Sequence, residues 1–239
     1  MGKEKTVPQN NDLVHQVLVL DFDGVLNVLS TAARQESAEC YAVDRSAVVK
    51  APPGAMHSEY TVRWASGLVA DLNGLAEEAA SRGGGVFHVV WLTSWEDHVL
   101  PVVEEMGLFP DSTKAITSVL ELDQCWMWRG CPDTAKAVSL DNWARSLTDT
   151  RDSGTAPSGM GFSTKARAVA PAERSRLRVA WCDDEVFSSR IASDTLGFDV
   201  PGAVESAGGS LTTIPVEPST GLTRPQVARI RSALGIQPQ

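Results

Sequence analysis

The run VLVLDFDGVLN at positions 17–27 constrains this chain more than any other segment. Four apolar residues stop abruptly at two carboxylates, Asp21 and Asp23, which are followed by Gly24. A β-strand sends alternate side chains to one face, so the two acids project together from the strand's carboxyl end into one small volume. Their repulsion costs stability unless a cation lies between them or one carboxyl keeps its proton. Both arrangements suit phosphoryl chemistry.

The rest of the chain alternates between strand and helix patterns. Val69, Leu72, Leu75, Ala76 and Ala79 recur at helical spacing, which predicts a helix over 69–80 that ends at the Gly83-Gly84-Gly85 run. A second strand over 86–92 is apolar nearly throughout, as expected where helices cover both faces of a sheet, and it stops at Thr93-Ser94. A helix over 96–106 and a weaker strand over 115–122 follow. Lys136, Ala137, Leu140, Trp143 and Leu147 mark a further helix, for which Asp133 or Thr134 is the expected N-cap. The fourth strand, 177–182, again stops at acids, Asp183-Asp184-Glu185. A fifth strand over 210–216 precedes Gly221-Leu222-Thr223 and a last helix over 224–234.

This order predicts an α/β fold: a parallel sheet wound on both sides, binding ligands at the carboxyl ends of its strands. One domain is expected over 14–239, after a polar tail at 1–13 that reads as disordered. Residues 28–60, with the turn signal Pro52-Pro53-Gly54, leave room for a flap or hairpin only. Residues 148–175, rich in Ser, Thr, Gly, Pro and Ala, read as a surface insertion.

A net charge of -9 opposes broad affinity for nucleic acid or anionic membranes, while a local basic pocket stays compatible with it. No stretch has the length of a membrane span, and residues 1–11 lack the apolar core of a signal peptide, which predicts a cytoplasmic protein. Cys40, Cys125, Cys131 and Cys182 form no C-x-x-C pair and read as reduced thiols without a metal.

Taken singly, Asp21 and Asp23 could open an ordinary turn, Thr93 could cap a helix, and Asp183-Asp184 could be a solvated loop. Order and placement change that reading. Strand-DxDG, strand-T, helix-K and strand-DD occur in sequence, each able to face one crevice. The D-F-D-G-V-L and W-C-D-D-E strand ends, with the elements between 16 and 234, resemble the haloacid dehalogenase superfamily of phosphotransferases. More narrowly, D-F-D-G-V-L-N, V-W-L-T-S-W-E, W-C-D-D-E and the late G-L-T are similar to small actinobacterial and phage proteins, some related to RNA-repair phosphatase domains.

The resemblance implies a three-layer α/β/α Rossmann-like fold and a Mg²⁺-dependent phosphomonoester hydrolase. Asp21 would attack phosphorus to form an aspartyl-phosphate, and Asp23 would serve as general acid and then base. Mg²⁺ would be held by Asp21, the Asp23 carbonyl and Asp183 or Asp184. Thr93, or Ser94 in its place, would bind a phosphate oxygen. A lysine would neutralise the transferring group. Lys136, near the start of a helix, is preferred to Lys165, which lies within the expected insertion.

Trp95, Trp126 and Trp128 fall near the expected rim, where an aromatic face could stack on a base or sugar, although core packing is the usual role of tryptophan. Trp64, Trp91, Trp143 and Trp181 read as core. A site covered by a flap alone would admit a bulky or polymeric phosphate, or be closed by a partner subunit. The expected partners are a phosphorylated small molecule, a nucleotide or a polynucleotide end. The competing classes are a catalytically inactive scaffold and a receiver-like binding module, although a receiver carries its phosphorylated aspartate at the end of the third strand.

Overall fold

The computed structural model describes residues 14–29, 37–51, 57–81, 85–123, 132–149, 176–185 and 197–237. Along the chain these form β1 (Val14–Leu20), β2 (Arg45–Lys50), β3 (Glu59–Trp64), α1 (Ser66–Ser81), β4 (Gly85–Trp91), α2 (Val99–Glu105), β5 (Ile116–Val119), α3 (Pro132–Asp149), β6 (Arg176–Asp183), α4 (Val200–Ser206), β7 (Gly209–Pro215) and α5 (Arg224–Leu234).

Strand β1 is central because residues 17–20 have apolar neighbours on every side. The sheet order is β5-β4-β1-β6-β7 and all its pairings are parallel. Val19 sits between Val90 and Trp181, and Leu20 between Trp91 and Cys182. Alternation then divides the core in two. Leu18, Leu20, Val89, Trp91, Ala180 and Cys182 pack against α1, α2 and α5. Val17, Val19, Val90, Leu92, Val179 and Trp181 pack against α3 and α4. The result is an α/β fold with helices on both faces of a parallel sheet, as expected from the sequence.

From β1 the chain builds outward through β4 and β5, then returns to the other side for β6 and β7. Connections leave β1 and its neighbour β6 in opposite directions, which opens a crevice at their carboxyl ends. That end carries Asp21 after β1, Thr93 after β4 and Asp183 closing β6.

Several boundaries differ from the sequence expectation. The flap is an antiparallel hairpin of β2 and β3 that runs on to Trp64, past the expected limit at residue 60, because Val62 and Trp64 find core contacts. The helix expected over 96–106 starts as a 3-10 turn, Glu96–His98, before α2. Strand β5 is shorter than expected, four residues with its first two exposed at the sheet edge. Helix α3 begins at Pro132, so neither Asp133 nor Thr134 precedes it as a cap, and it runs to Asp149 into the segment assigned to an insertion. Helix α4 escaped the sequence reading: it is only seven residues long and begins Val200-Pro201-Gly202, a poor helical signal.

The tail 1–13, the Pro52-Pro53-Gly54 turn, and the rest of the expected insertion lie outside the described residues, as do Cys125, Cys131, Trp126, Trp128 and Lys165. Among the described residues no helix is long and apolar enough to cross a membrane. Cys40 and Cys182 are free thiols, and burial holds the Cys182 thiol protonated.

Candidate functional site

The turn after β1 builds the site. Asp21 N–H continues the ladder to the Cys182 carbonyl at 3.0 Å, and the Leu26 and Asn27 N–H groups both return to the Phe22 carbonyl at 3.0 Å. Gly24 makes this turn feasible for two reasons. Its φ is +71°, and a Cβ there would lie 2.2 Å from Asp184 Oδ2 and 2.9 Å from Pro218 Cβ. Gly221, at φ +66°, closes from the other side, where a Cβ would meet the Val25 carbonyl oxygen at 2.9 Å. The next residue, Leu222, donates its N–H to that carbonyl. The late Gly221-Leu222-Thr223 motif thus braces the acidic turn from 200 residues along the chain.

Lys136 enters from the first turns of α3 and is itself buried. Its ammonium lies 2.7 Å from Asp21 Oδ2, 3.3 Å from Asp183 Oδ2 and 3.1 Å from Glu185 Oε2. The second oxygen of Asp21 accepts the Phe22 N–H at 2.7 Å, and Asp183 Oδ1 accepts the Glu185 N–H at 2.7 Å. Asp183 Oδ2, fully buried, accepts no hydrogen bond. Carboxylate oxygens of Asp21, Asp183 and Asp184 lie within 4.8 Å of one another, a grouping that could hold a metal ion.

One ammonium does not neutralise this much acid. Burial pushes the Asp21 carboxyl above its ordinary range, and Lys136 pulls it back. Asp183 is pushed up to about 7, by burial and then by Asp21, with Lys136 opposing. Asp184 is pushed up to about 6, again by burial first and Asp21 second. For Lys136, burial alone would lower the pKa, but Asp21, Asp183 and Glu185 outweigh it and hold the ammonium charged. A buried carboxylate oxygen without a hydrogen bond, beside carboxylates of raised pKa, is the pattern a divalent cation relieves.

Asp23 is more open and separately held. Its Oδ1 accepts Asn27 Nδ2–H at 2.7 Å and its Oδ2 accepts Trp95 Nε1–H at 2.8 Å. Thr93 is fully buried one residue beyond the Leu92 N–H bond to the Leu20 carbonyl, which carries it alongside the turn after β1. Ser94 is exposed.

Trp95 departs from the expected rim platform. It is 4% exposed, with its ring against Phe22 at 5.1 Å and Tyr60 at 5.8 Å, so it offers no open face for stacking. Its N–H turns inward because a half-buried carboxylate is the strongest acceptor within reach. Trp64, Trp91 and Trp181 are core residues as expected, and Trp143 of α3 is half-buried, packed against the core on that helix's face of the sheet. Two participants escaped the sequence reading. Glu185 lay inside the W-C-D-D-E motif, and Asn27 closed the D-F-D-G-V-L-N motif; that inclusion was their only signal.

No protein-family profile, curated protein or solved structure matches this chain.

Proposed function

We propose that this protein is a Mg²⁺-dependent phosphomonoester hydrolase of the haloacid dehalogenase type, working in the cytoplasm through a covalent aspartyl-phosphate. The observation that carries the reading is the buried Lys136 ammonium among Asp21, Asp183 and Glu185, with one oxygen of Asp183 accepting no hydrogen bond. A buried cation and an oxygen-rich acidic cluster at the carboxyl ends of central strands together suit a dianionic phosphoryl group.

The residues fit a hard divalent cation, since Asp21, Asp183 and Asp184 supply three clustered carboxylates and Asp183 Oδ2, 3.3 Å from the Lys136 ammonium, accepts no hydrogen bond. Once bound, such a cation offsets the repulsion between the Asp21 carboxylate and the anionic substrate.

Asp21 attacks phosphorus through a carboxylate oxygen while the ester P–O bond breaks. Asp23 gives its proton to the departing alkoxide or phenoxide, then takes one from the water that attacks the aspartyl-phosphate, releasing inorganic phosphate and restoring Asp21. Lys136 steadies charge on the transferring group, and Thr93 supplies a hydroxyl beside it. The substrate is a phosphorylated small molecule, a nucleotide or a polynucleotide end, reached past the β2–β3 flap.

Hydrolysis of an aryl phosphate, with and without Mg²⁺, tests this reading against Asp21→Asn. Metal-dependent turnover that falls at least about a thousandfold in the variant supports it. Turnover that survives the substitution overturns it.

A further inference from the structure

The reaction needs Asp23 aimed at the leaving oxygen, yet Asp23 lies on a turn rather than on a rigid element. Two side chains hold it. Trp95 Nε1–H and Asn27 Nδ2–H donate to opposite oxygens of the one carboxylate, at 2.8 Å and 2.7 Å. With both oxygens engaged, the group cannot rotate about its Cβ–Cγ bond without losing charge-assisted hydrogen bonds.

Each holder is itself fixed. Trp95 is wedged between Phe22, which neighbours the nucleophile, and Tyr60 of β3. Asn27 spends its other amide atom on the flap: its Oδ1 accepts the Arg63 N–H at 2.9 Å, while the Val28 N–H reaches the Arg63 carbonyl at 2.9 Å. Strand β3 therefore touches both holders of Asp23, through Tyr60 to Trp95 and through Arg63 to Asn27. By contrast, the buried indole nitrogens of Trp91 and Trp181 find no hydrogen-bond partner, so a paired Trp N–H is not a given in this protein.

On the phosphatase reading, we infer that Trp95 and Asn27 are positioning residues that set the Asp23 carboxylate and tie its placement to strand β3 of the flap. They touch the acid and not the reacting atoms, so their contribution to phosphoryl transfer from substrate to Asp21 follows the need for leaving-group protonation. A simple alkyl phosphate, whose alkoxide is a poor leaving group, depends on that proton. Transfer from dinitrophenyl phosphate, whose phenoxide leaves unaided, does not, and only the later hydrolysis of the aspartyl-phosphate, common to both substrates, still calls on Asp23 as base.

The test compares kcat and KM of the native chain, Trp95→Phe, Asn27→Ser, Asp23→Asn and the Trp95→Phe/Asp23→Asn double variant on both substrates with Mg²⁺. Phenylalanine keeps an aromatic ring between Phe22 and Tyr60 and removes the N–H. Asn27→Ser serves as the second probe should Trp95→Phe not fold. Either variant is expected to lower kcat/KM on the alkyl phosphate, which reports the steps up to departure of the leaving group, about tenfold while leaving kcat/KM for dinitrophenyl phosphate within about twofold. In the Asp23→Asn background, Trp95→Phe is expected to add no further loss, since the two substitutions remove one function. Equal losses of kcat/KM on both substrates, or additive losses in the double variant, overturn the positioning role alone. A native chain inert toward both substrates, or turnover that survives Asp21→Asn, overturns the phosphatase reading and this inference with it.

Discussion

At the carboxyl end of β1 the protein buries charge, whereas at the amino end of the same strand it buries neutral polar groups. Asp21 is paired with Lys136 and crowded by Asp183 and Asp184. At the other end His15 Nδ1 meets His88 Nε2 at 3.1 Å, and Gln16 donates through Nε2 to the Leu234 carbonyl at 3.0 Å. Burial lowers the pKa of both histidines, and His88 is brought down to about 4 by burial and then by His15. Neutral imidazoles can share one proton between facing nitrogens, so that end tolerates burial with local hydrogen bonds. The clustered carboxylates share a single ammonium and, with Asp183 raised to about 7, are only partly neutral near pH 7; Asp183 Oδ2 accepts no hydrogen bond, a deficit that Gln16 Oε1 has at the other end without carrying charge. One end is built to hold the fold together, and the other holds electrostatic strain that a ligand can relieve.

Removing the cation breaks this contrast most severely. Lys136→Met leaves Asp21 and Asp183 buried without a counter-charge, and urea unfolding should show a loss of about 3–5 kcal/mol. Added Mg²⁺ should recover more stability in that variant than in the native chain. A variant as stable as the native chain without metal would mean that the carboxylates are already neutral.

The amino end gives a smaller effect of defined sign. His88 binds a proton less readily folded than unfolded, so its contribution is complete above pH 6.5 and is lost as pH falls toward about 4. The loss is on the order of 3 kcal/mol. Asp183 and Asp184 contribute with the opposite sign, stabilising the fold when protonated and losing that contribution as pH rises through their raised pKa values. That contribution is common to the native chain and His88→Leu, so the difference between their stability–pH curves isolates the histidine. Parallel curves between pH 4 and 6.5 would dissociate His88 from acid unfolding.

Gly24→Ala probes the geometry that brings Asp184 against the acidic turn. Positive φ costs about 1–2 kcal/mol for a non-glycine residue. The new methyl also meets Asp184 Oδ2, so the shift in melting temperature caused by Mg²⁺ should shrink as a cluster carboxylate is displaced. An undiminished metal shift would remove Asp184 from the cation site. The smallest effect is expected for Lys165→Ala. Lys136 already contacts Asp21, so turnover of an aryl phosphate should stay within about twofold. A dead but folded Lys165→Ala protein would transfer the lysine role.

The sequence by itself determined the alternation of strands and helices, the burial of β1 and β4 on both faces, the strand ends at Asp21 and Asp183, and the bounds of α5. Those features are written in local periodicity and in abrupt changes from apolar to acidic residues, and a short window contains them. Short or irregular elements, such as α4 and the 3-10 entry to α2, were not legible because tertiary contacts hold them more than their own propensity does. Only the tertiary structure decided that Lys136 reaches Asp21 and that Glu185 joins it. It also turned Trp95 inward to Asp23, linked Asn27 to Arg63, and set Gly24 under Asp184 and Gly221 against Val25. Each is a contact between side chains or backbone groups far apart in the chain or facing each other across a turn. Sheet order brings them together, and no local pattern encodes that order.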